Sequence, residues 1–222
     1  MCIRDSITSD LSIVGFSSAG KASYENTLNS GIGSNGLTSA RHELLSKHYA
    51  ENYPETYDPQ TEEKFIYCGP HRMNDPLPTS ELTIGEALLS PTRTYLPLIK
   101  KISEEIGKEL KGAVHCSGGG QTKCLRFGTE VKYVKDNLFN PPPIFSEIQK
   151  VSKTSAREMH QVYNMGHRLE LFCKPPLENI LIDLANEFKI EAKVIGRTVP
   201  SGNPNGKNQL QISLADEILQ YE

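Results

Sequence analysis

At 222 residues, with 37% hydrophobic and 23% charged residues, the chain has the make-up of a soluble globular protein of one large domain or two small ones. A formal net charge of −3, with Lys and Arg spread along the chain, argues against a nucleic-acid-binding stripe, and no apolar run is long enough to cross a membrane. Cys2, Cys68, Cys116, Cys124 and Cys173 stand apart without a CxxC pair, which predicts reduced thiols in the cytoplasm and no disulfide framework.

The opening Met1-Cys2-Ile3-Arg4-Asp5-Ser6 lacks the apolar core of a signal peptide and looks like the translation of a transposase adapter, so residues 1–8 are read as a non-native or linker start. Leu11 to Phe16 reads as a strand. A long Ser-, Gly- and Asn-rich loop follows to about Gly36, expected to be functional and mobile. Thr38 to Ala50 fits a helix with Leu44 and Leu45 on its buried side. Residues 51–80 carry five prolines and read as an irregular surface insertion, with one strand at Phe65 to Cys68.

Thr83 and Glu86 form a capping box for a helix through Leu88. Leu96 to Leu110 is an amphipathic helix with Leu98, Ile99, Ile102, Ile106 and Leu110 on one face. Strands are expected at Ala113–Cys116, Val131–Val134, His167–Cys173, Ala192–Ile195 and Gln209–Ile212. Within His167–Cys173, Leu169, Leu171 and Cys173 share a face. Helices are expected at Ile144–Val151 after three prolines, Ala156–Tyr163 and Leu177–Phe188, and residues 200–208 form a polar hairpin-like loop. Strands alternating with helices predict an α+β fold, layered as a mixed β-sheet covered by helices, with no internal repeat.

The most informative stretch is Val114-His115-Cys116-Ser117-Gly118-Gly119-Gly120-Gln121-Thr122. Three consecutive glycines weaken helix and strand alike, and offer a backbone on which several N–H groups can converge on one anion. A tight strand exit is the alternative. Two further segments, Gly31-Ile32-Gly33-Ser34-Asn35-Gly36 and Tyr163-Asn164-Met165-Gly166-His167-Arg168, share the glycine-rich character. Together with Ser90-Pro91-Thr92-Arg93, these segments occur in the order found in phosphoribosylformylglycinamidine cyclo-ligase, also called AIR synthase. The chain over about residues 9–218 resembles the C-terminal half of that family, in a Bacteroidetes-like branch.

The resemblance implies an AIR synthase C-terminal domain over residues 9–222, with the N-terminal ATP-binding domain missing. It implies a homodimeric, cytoplasmic purine-biosynthesis enzyme that uses ATP and Mg2+, both held mainly by that missing domain, and acts on a phosphorylated small molecule. No nucleic-acid or membrane partner is expected, and the isolated fragment is expected to be inactive. By resemblance, Ser117, Gly118, Gly119 and Gly120 surround the substrate, and Ser34 and Asn35 contact substrate or nucleotide. Helix N-capping is the alternative for the latter pair. Asn164 and Gly166 orient an amide or, equally, close a turn.

The chain departs from the common pattern at Gly33, where the family carries histidine, and at Lys123, where it carries an acidic residue. His167 and Arg168 replace small or apolar residues. Lys123 and Arg126 are candidate phosphate partners or solvated charges, and Arg93 is expected to anchor the loop near Thr92. His115 reads as a core histidine. No residue is singled out as the proton carrier. A Cys116 nucleophile lacks an orienting third group, and Cys116, Cys124, His115 and His167 lack zinc-ligand spacing, so no metal site is expected in the chain. The competing readings are selenophosphate synthetase, thiamine-monophosphate kinase, formylglycinamidine ribotide synthetase, and a non-catalytic maturation or binding module of the same fold.

Overall fold

The computed structural model describes residues 7–34 and 36–222; Met1–Ser6, with its adapter-like sequence, and the candidate Asn35 lie outside the described residues. The strands are β1 (Ser12–Ser17), β2 (Gly112–His115), β3 (Val131–Lys135), β4 (His167–Cys173), β5 (Ala192–Pro200), β6 (Gln209–Ser213) and β7 (Ile218–Tyr221). They join in one sheet, in the order β2-β4-β1-β5-β3-β6-β7. All neighbours are antiparallel except β3 and β6, so the sheet is mixed, as the alternation of elements predicts.

The helices are α1 (Leu37–Leu44), α2 (His48–Asn52), α3 (Ile84–Leu88), α4 (Leu96–Ile106), α5 (Pro143–Ser152), α6 (Ala156–Val162) and α7 (Glu178–Glu187). Successive strand side chains point to opposite faces, and β1 and β4 are buried along their whole length. On one face, Val14 and Phe16 meet Leu169, Leu171 and Cys173, and α4 and α7 cover them with Leu98, Ile102, Leu181 and Leu184. On the other, Ile13, Tyr133, Phe172 and Ile212 pack with Cys124 from the 3-10 turn Gly120–Arg126. A third cluster joins α1, α3, α5 and α6 through Leu44, Ile84, Phe145 and Met159. Burying each such side chain is worth about 1.5–3 kcal/mol.

The capping box forms as expected: the Glu86 N–H donates to Thr83 Oγ1 at 3.2 Å and the Thr83 N–H to Glu86 Oε2 at 2.8 Å. Four expectations need correction. The helix expected over 38–50 is two helices, because Leu45 turns extended and leaves α1 there. The expected α4 stops at Ile106, where Gly107 caps it, although Leu110 still packs on the core. Phe65 to Cys68 is no strand: a 3-10 turn at Glu63–Phe65 leads to Tyr67 with a positive φ of 43°. The 51–80 segment is irregular but more than a surface excursion, since Ile66, Tyr67 and Leu77 lie in the third cluster. Its tail is stitched to α1, with the Cys68 N–H donating to His42 O and the Gly69 N–H to Leu45 O.

Candidate functional site

The glycine-rich loop after β1 is fastened at both ends. Arg93, buried, donates from Nε and Nη2 to the two Glu25 carboxylate oxygens at 2.9 and 2.7 Å. Its Nη1 donates to the Ser17 and Ala19 carbonyls, each at 2.9 Å. Arg93, expected to anchor the loop near Thr92, ties that segment to the loop after β1. Burial pushes the Glu25 carboxyl up, but the Arg93 hydrogen bond and charge override it and hold it below its ordinary range. Further along, the Ser30 N–H donates to Ser90 Oγ at 3.0 Å, Asn29 Nδ2 to Pro91 O at 2.9 Å, and the Ser34 N–H to Thr92 Oγ1 at 3.1 Å. Ser34 is exposed and sits against the exposed Thr92. It does not cap α1, whose cap is Gly36 in a left-handed conformation with no side-chain bond.

The triple-glycine loop leaves β2 at the sheet edge. The Ser117 N–H is taken by His115 O at 2.7 Å and the Gly120 N–H by Ser117 O at 2.8 Å, so two of the four expected donors are spent within the loop. Among the described residues no protein acceptor meets the Gly118 and Gly119 N–H groups, and Gly118 is exposed. Gly119 has φ +102°, and a Cβ there would find nothing nearer than 3.8 Å. At Gly120 a Cβ would strike the Tyr163 carbonyl and come within 2.7 Å of His160 O. Gly119 thus faces open space, while Gly120 is a close approach to the end of α6.

Asn164 and Gly166 are buried where the loop after β1 meets the triple-glycine loop. Asn164 Oδ1 accepts from Ser18 Oγ at 2.7 Å and the Gly166 N–H at 3.0 Å, and Nδ2 donates to Gly31 O at 2.8 Å. Gln121 Nε2 donates to Asn164 O at 2.5 Å. The Asn164 turn is thereby the knot joining the loop after β1 to the triple-glycine loop. Arg168 strengthens it: Nη2 donates to Gly31 O at 3.0 Å and Ile32 O at 2.7 Å, and its carbonyl accepts from the Cys116 N–H at 2.6 Å. A Cβ on Gly33 would lie 2.5 Å from Arg168 Nη1, so only glycine leaves room for the guanidinium.

His115 is exposed at the end of β2 and not a core histidine. Burial of part of its ring, then the charges of Arg168 and Lys123, push its pKa down. It lines an open depression of about 430 Å³ with Thr92, Tyr95, Ile99 and Leu169. Lys123 is half-buried and Arg126 exposed, and neither is seen in an ion pair among the described residues.

Deeper in the sheet, Lys135 Nζ donates to Glu170 Oε1 at 2.5 Å, and His167 Nε2 lies 2.9 Å from the same oxygen, all three buried. Lys135 also donates to Gln121 O and Oε1, each at 3.0 Å, so this charge network braces the turn after the glycines. Burial pushes Glu170 up, but Lys135 and His167 override it and hold it at about 2. Burial pushes the His167 pKa down against the pull of Glu170. Cys116 Sγ joins His167 and Glu170 within 4.8 Å, and among the described residues this is the three-residue set that could hold a metal ion. Lys135 already supplies the cation there, and burial pushes the Cys116 thiol well up, so it is neither a ready ligand nor a nucleophile. Lys135 and Glu170 are missed by the sequence reading, and Gln121 is given no role in it; the signal is charge and amide inside apolar strands and turns.

These loops and this sheet define a class, and residues 12–207 match the AIR synthase related protein, C-terminal domain family, to which the chain belongs. Among curated proteins it is similar to the phosphoribosylformylglycinamidine cyclo-ligase of Methanocaldococcus jannaschii, at 38% identity over 56% of this chain and 35% of that protein. The enzyme of the same name from Methanopyrus kandleri is 32% identical over 75% of this chain and 41% of that protein. The chain thus spans roughly a third to two-fifths of the length of the curated relatives it matches. Among solved structures, T. maritima PurL complexed with FGAR covers 99% of the chain and 28% of its own, at TM-score 0.49 and 10% identity. E. coli HypE covers 97% and 50%, at TM-score 0.49 and 12% identity. Such slight likenesses add nothing to the family match.

Proposed function

We propose that the chain is the substrate-binding C-terminal part of an ATP-dependent cyclo-ligase of purine biosynthesis, which closes formylglycinamidine ribotide to aminoimidazole ribotide. The observation that supports this best is the meeting of four distant segments at one mouth. Ser34 touches Thr92, Gly31 O takes donors from both Asn164 and Arg168, and Gln121 ties the triple-glycine loop to Asn164. The names of the curated relatives point to the same reaction.

In that reaction the formamide oxygen takes the γ-phosphoryl group of ATP, and the amidine nitrogen attacks the same carbon as phosphate leaves, with ADP the other product. Such chemistry asks a protein for positioning and charge neutralisation more than for a nucleophile. Ser34, Ser117 and the free N–H groups of Gly118 and Gly119 are the groups assigned to the phosphorylated substrate, with Gly120, Asn164 and Gly166 shaping the mouth from beneath. Asn35 belongs to the same assignment. Mg2+ prefers oxygen donors and retained waters, of which the buried Cys116, His167 and Glu170 set offers only a carboxylate already paired with Lys135. The metal is therefore assigned to none of the described residues. We further infer a homodimeric, cytoplasmic enzyme with this chain as one part.

The test is calorimetric binding of formylglycinamidine ribotide and of its dephosphorylated riboside to the chain. The ribotide is expected to bind at least 10-fold more tightly. Equal affinities, or no ribotide binding, would contradict the reading.

A further inference from the structure

We propose that Arg168 is an anion-binding residue of this mouth, its guanidinium Nε and Nη1 receiving phosphoryl oxygens of the bound ligand. The proposal rests on the reading above only for the identity of the ligand that carries the phosphate.

The backbone aims this side chain. β1 pairs Phe16 with Leu169 and Ser17 with His167, which leaves Arg168 as the extra residue of a bulge on β4. Bulges redirect a side chain out of the regular alternation and are common beside functional sites. The redirected guanidinium enters the space that Gly33 leaves empty, between the loop bearing Ser34 and the strand end leading to Ser117.

Its charge is unanswered. Arg168 is 1% exposed, yet only Nη2 has acceptors; Nε and Nη1 are buried with no hydrogen-bond partner. The other buried cations have carboxylates: Arg93 has Glu25 at 2.7 Å and Lys135 has Glu170 at 2.5 Å. No ion pair is formed by Arg168 among the described residues, and burial pushes its pKa down. A buried cation without a counter-charge is strongly disfavoured, and a buried donor without an acceptor adds to that. One N–H on Nε and two on Nη1 remain without acceptors and point to different sides of the guanidinium, and separate phosphoryl oxygens would supply both the charge and the acceptors. Ser34 and His115, both exposed, adjoin the same Thr92, one by a hydrogen bond and the other across an open depression, and no carboxylate is bound to Arg168 among the described residues.

The phosphate can belong to the ribotide or to the nucleotide, and the experiment separates them. Inorganic phosphate is titrated against the whole chain by calorimetry, with Arg168→Met and Arg168→Lys beside the wild type. Arg168→Met is expected to bind phosphate at least 10-fold more weakly, and Arg168→Lys to fall between. Because Arg168 also holds two loop carbonyls, folding of each variant is checked by circular dichroism. The wild-type Arg168 Nε–H resonance, which needs no variant, is expected to shift on adding phosphate. A resonance that stays in place, or a folded Arg168→Met within twofold of wild type, overturns the assignment. Formylglycinamidine ribotide and ATP are then titrated on the same proteins. Loss of ribotide binding in Arg168→Met assigns the substrate phosphate, and loss of ATP binding the nucleotide. If phosphate binding depends on Arg168 while the wild type binds no ribotide, the anion site stands and the cyclo-ligase reading fails. If ribotide and ATP each bind equally well to wild type and Arg168→Met, the cyclo-ligase reading stands and the assignment of Arg168 fails.

Discussion

Arg93 and Glu25 form a two-pronged ion pair, Nε to Oε1 at 2.9 Å and Nη2 to Oε2 at 2.7 Å, across 68 residues of sequence. With Nη1 on the Ser17 and Ala19 carbonyls, one guanidinium closes the loop that carries Ser34. Arg93→Met should cost about 3 kcal/mol, since it strands a mostly buried carboxylate and two carbonyls. Urea denaturation measures the loss. Amide exchange should be slow at the bonded Gly20, Asn29 and Ser30 amides in the wild type and fast in the variant. Against the expectation of a mobile loop, Asn29 and Ser30 are buried with their polar groups bonded, while Asn26 to Leu28 stay exposed.

The Lys135–Glu170–His167 network sets the response to acid. His167 has its pKa lowered by burial, so the unfolded state binds a proton that the folded state refuses, and stability must fall as pH drops through the unfolded value of about 6.5. Glu170, held at about 2, contributes stability above its unfolded value of about 4.3 that is lost as pH falls toward 2. Urea midpoints are thus expected to decline from pH 7.5 to 5.5 and again below pH 4. Glu170→Gln should destabilise at pH 7 by about 3–5 kcal/mol, leaving Lys135 buried and unpaired. A Glu170→Gln protein as stable as wild type would remove the network from the account.

Neighbouring glycines should behave differently. Gly119→Ala meets open space and carries only the strain of φ +102°, about 1 kcal/mol. Gly120→Ala meets the Tyr163 and His160 carbonyls as well, and should cost about 3 kcal/mol or more. Gly119→Val should keep the fold and lose ribotide binding, because a branched side chain fills the approach to the Gly118 and Gly119 amides. Melting temperature and affinity measured together decide this.

Much of the frame was legible in the chain. The alternation Leu169, Leu171, Cys173 marks one face of β4, Thr83 and Glu86 announce α3, and the apolar stripe from Leu98 to Ile106 marks α4. What escaped notice depends on partners distant in sequence. Lys135 and Glu170 are 35 residues apart, and nothing local says that two charges in apolar strands will meet. β7 is short, with Ile218 61% exposed, and exists only by pairing with β6. The break after Leu44 comes from the 66–71 segment binding α1's end, a tertiary effect that helical periodicity cannot register. In the candidate site, Ser34 and the triple glycine are singled out by their motifs, whereas the spent amides of Ser117 and Gly120 required coordinates.

The chain alone should turn over no formylglycinamidine ribotide with ATP and Mg2+. Among the described residues the set of three potential metal ligands is buried, contains a thiol and faces an ammonium group. Product formation at a rate comparable to a full-length cyclo-ligase would show that the described residues hold more of the machinery than their donors suggest.

On the proposed function, the mouth between Ser34 and the triple-glycine loop receives a phosphorylated ribotide. Amide resonances of the labelled chain, followed during titration with formylglycinamidine ribotide, test it most directly. Ser34, Ser117, Gly118 and Gly119 are expected to shift together and saturably, and the dephosphorylated riboside to leave Gly118 and Gly119 unmoved. Saturable shifts confined to another region, such as the hollow lined by Tyr49, Tyr53 and Tyr67, would contradict it.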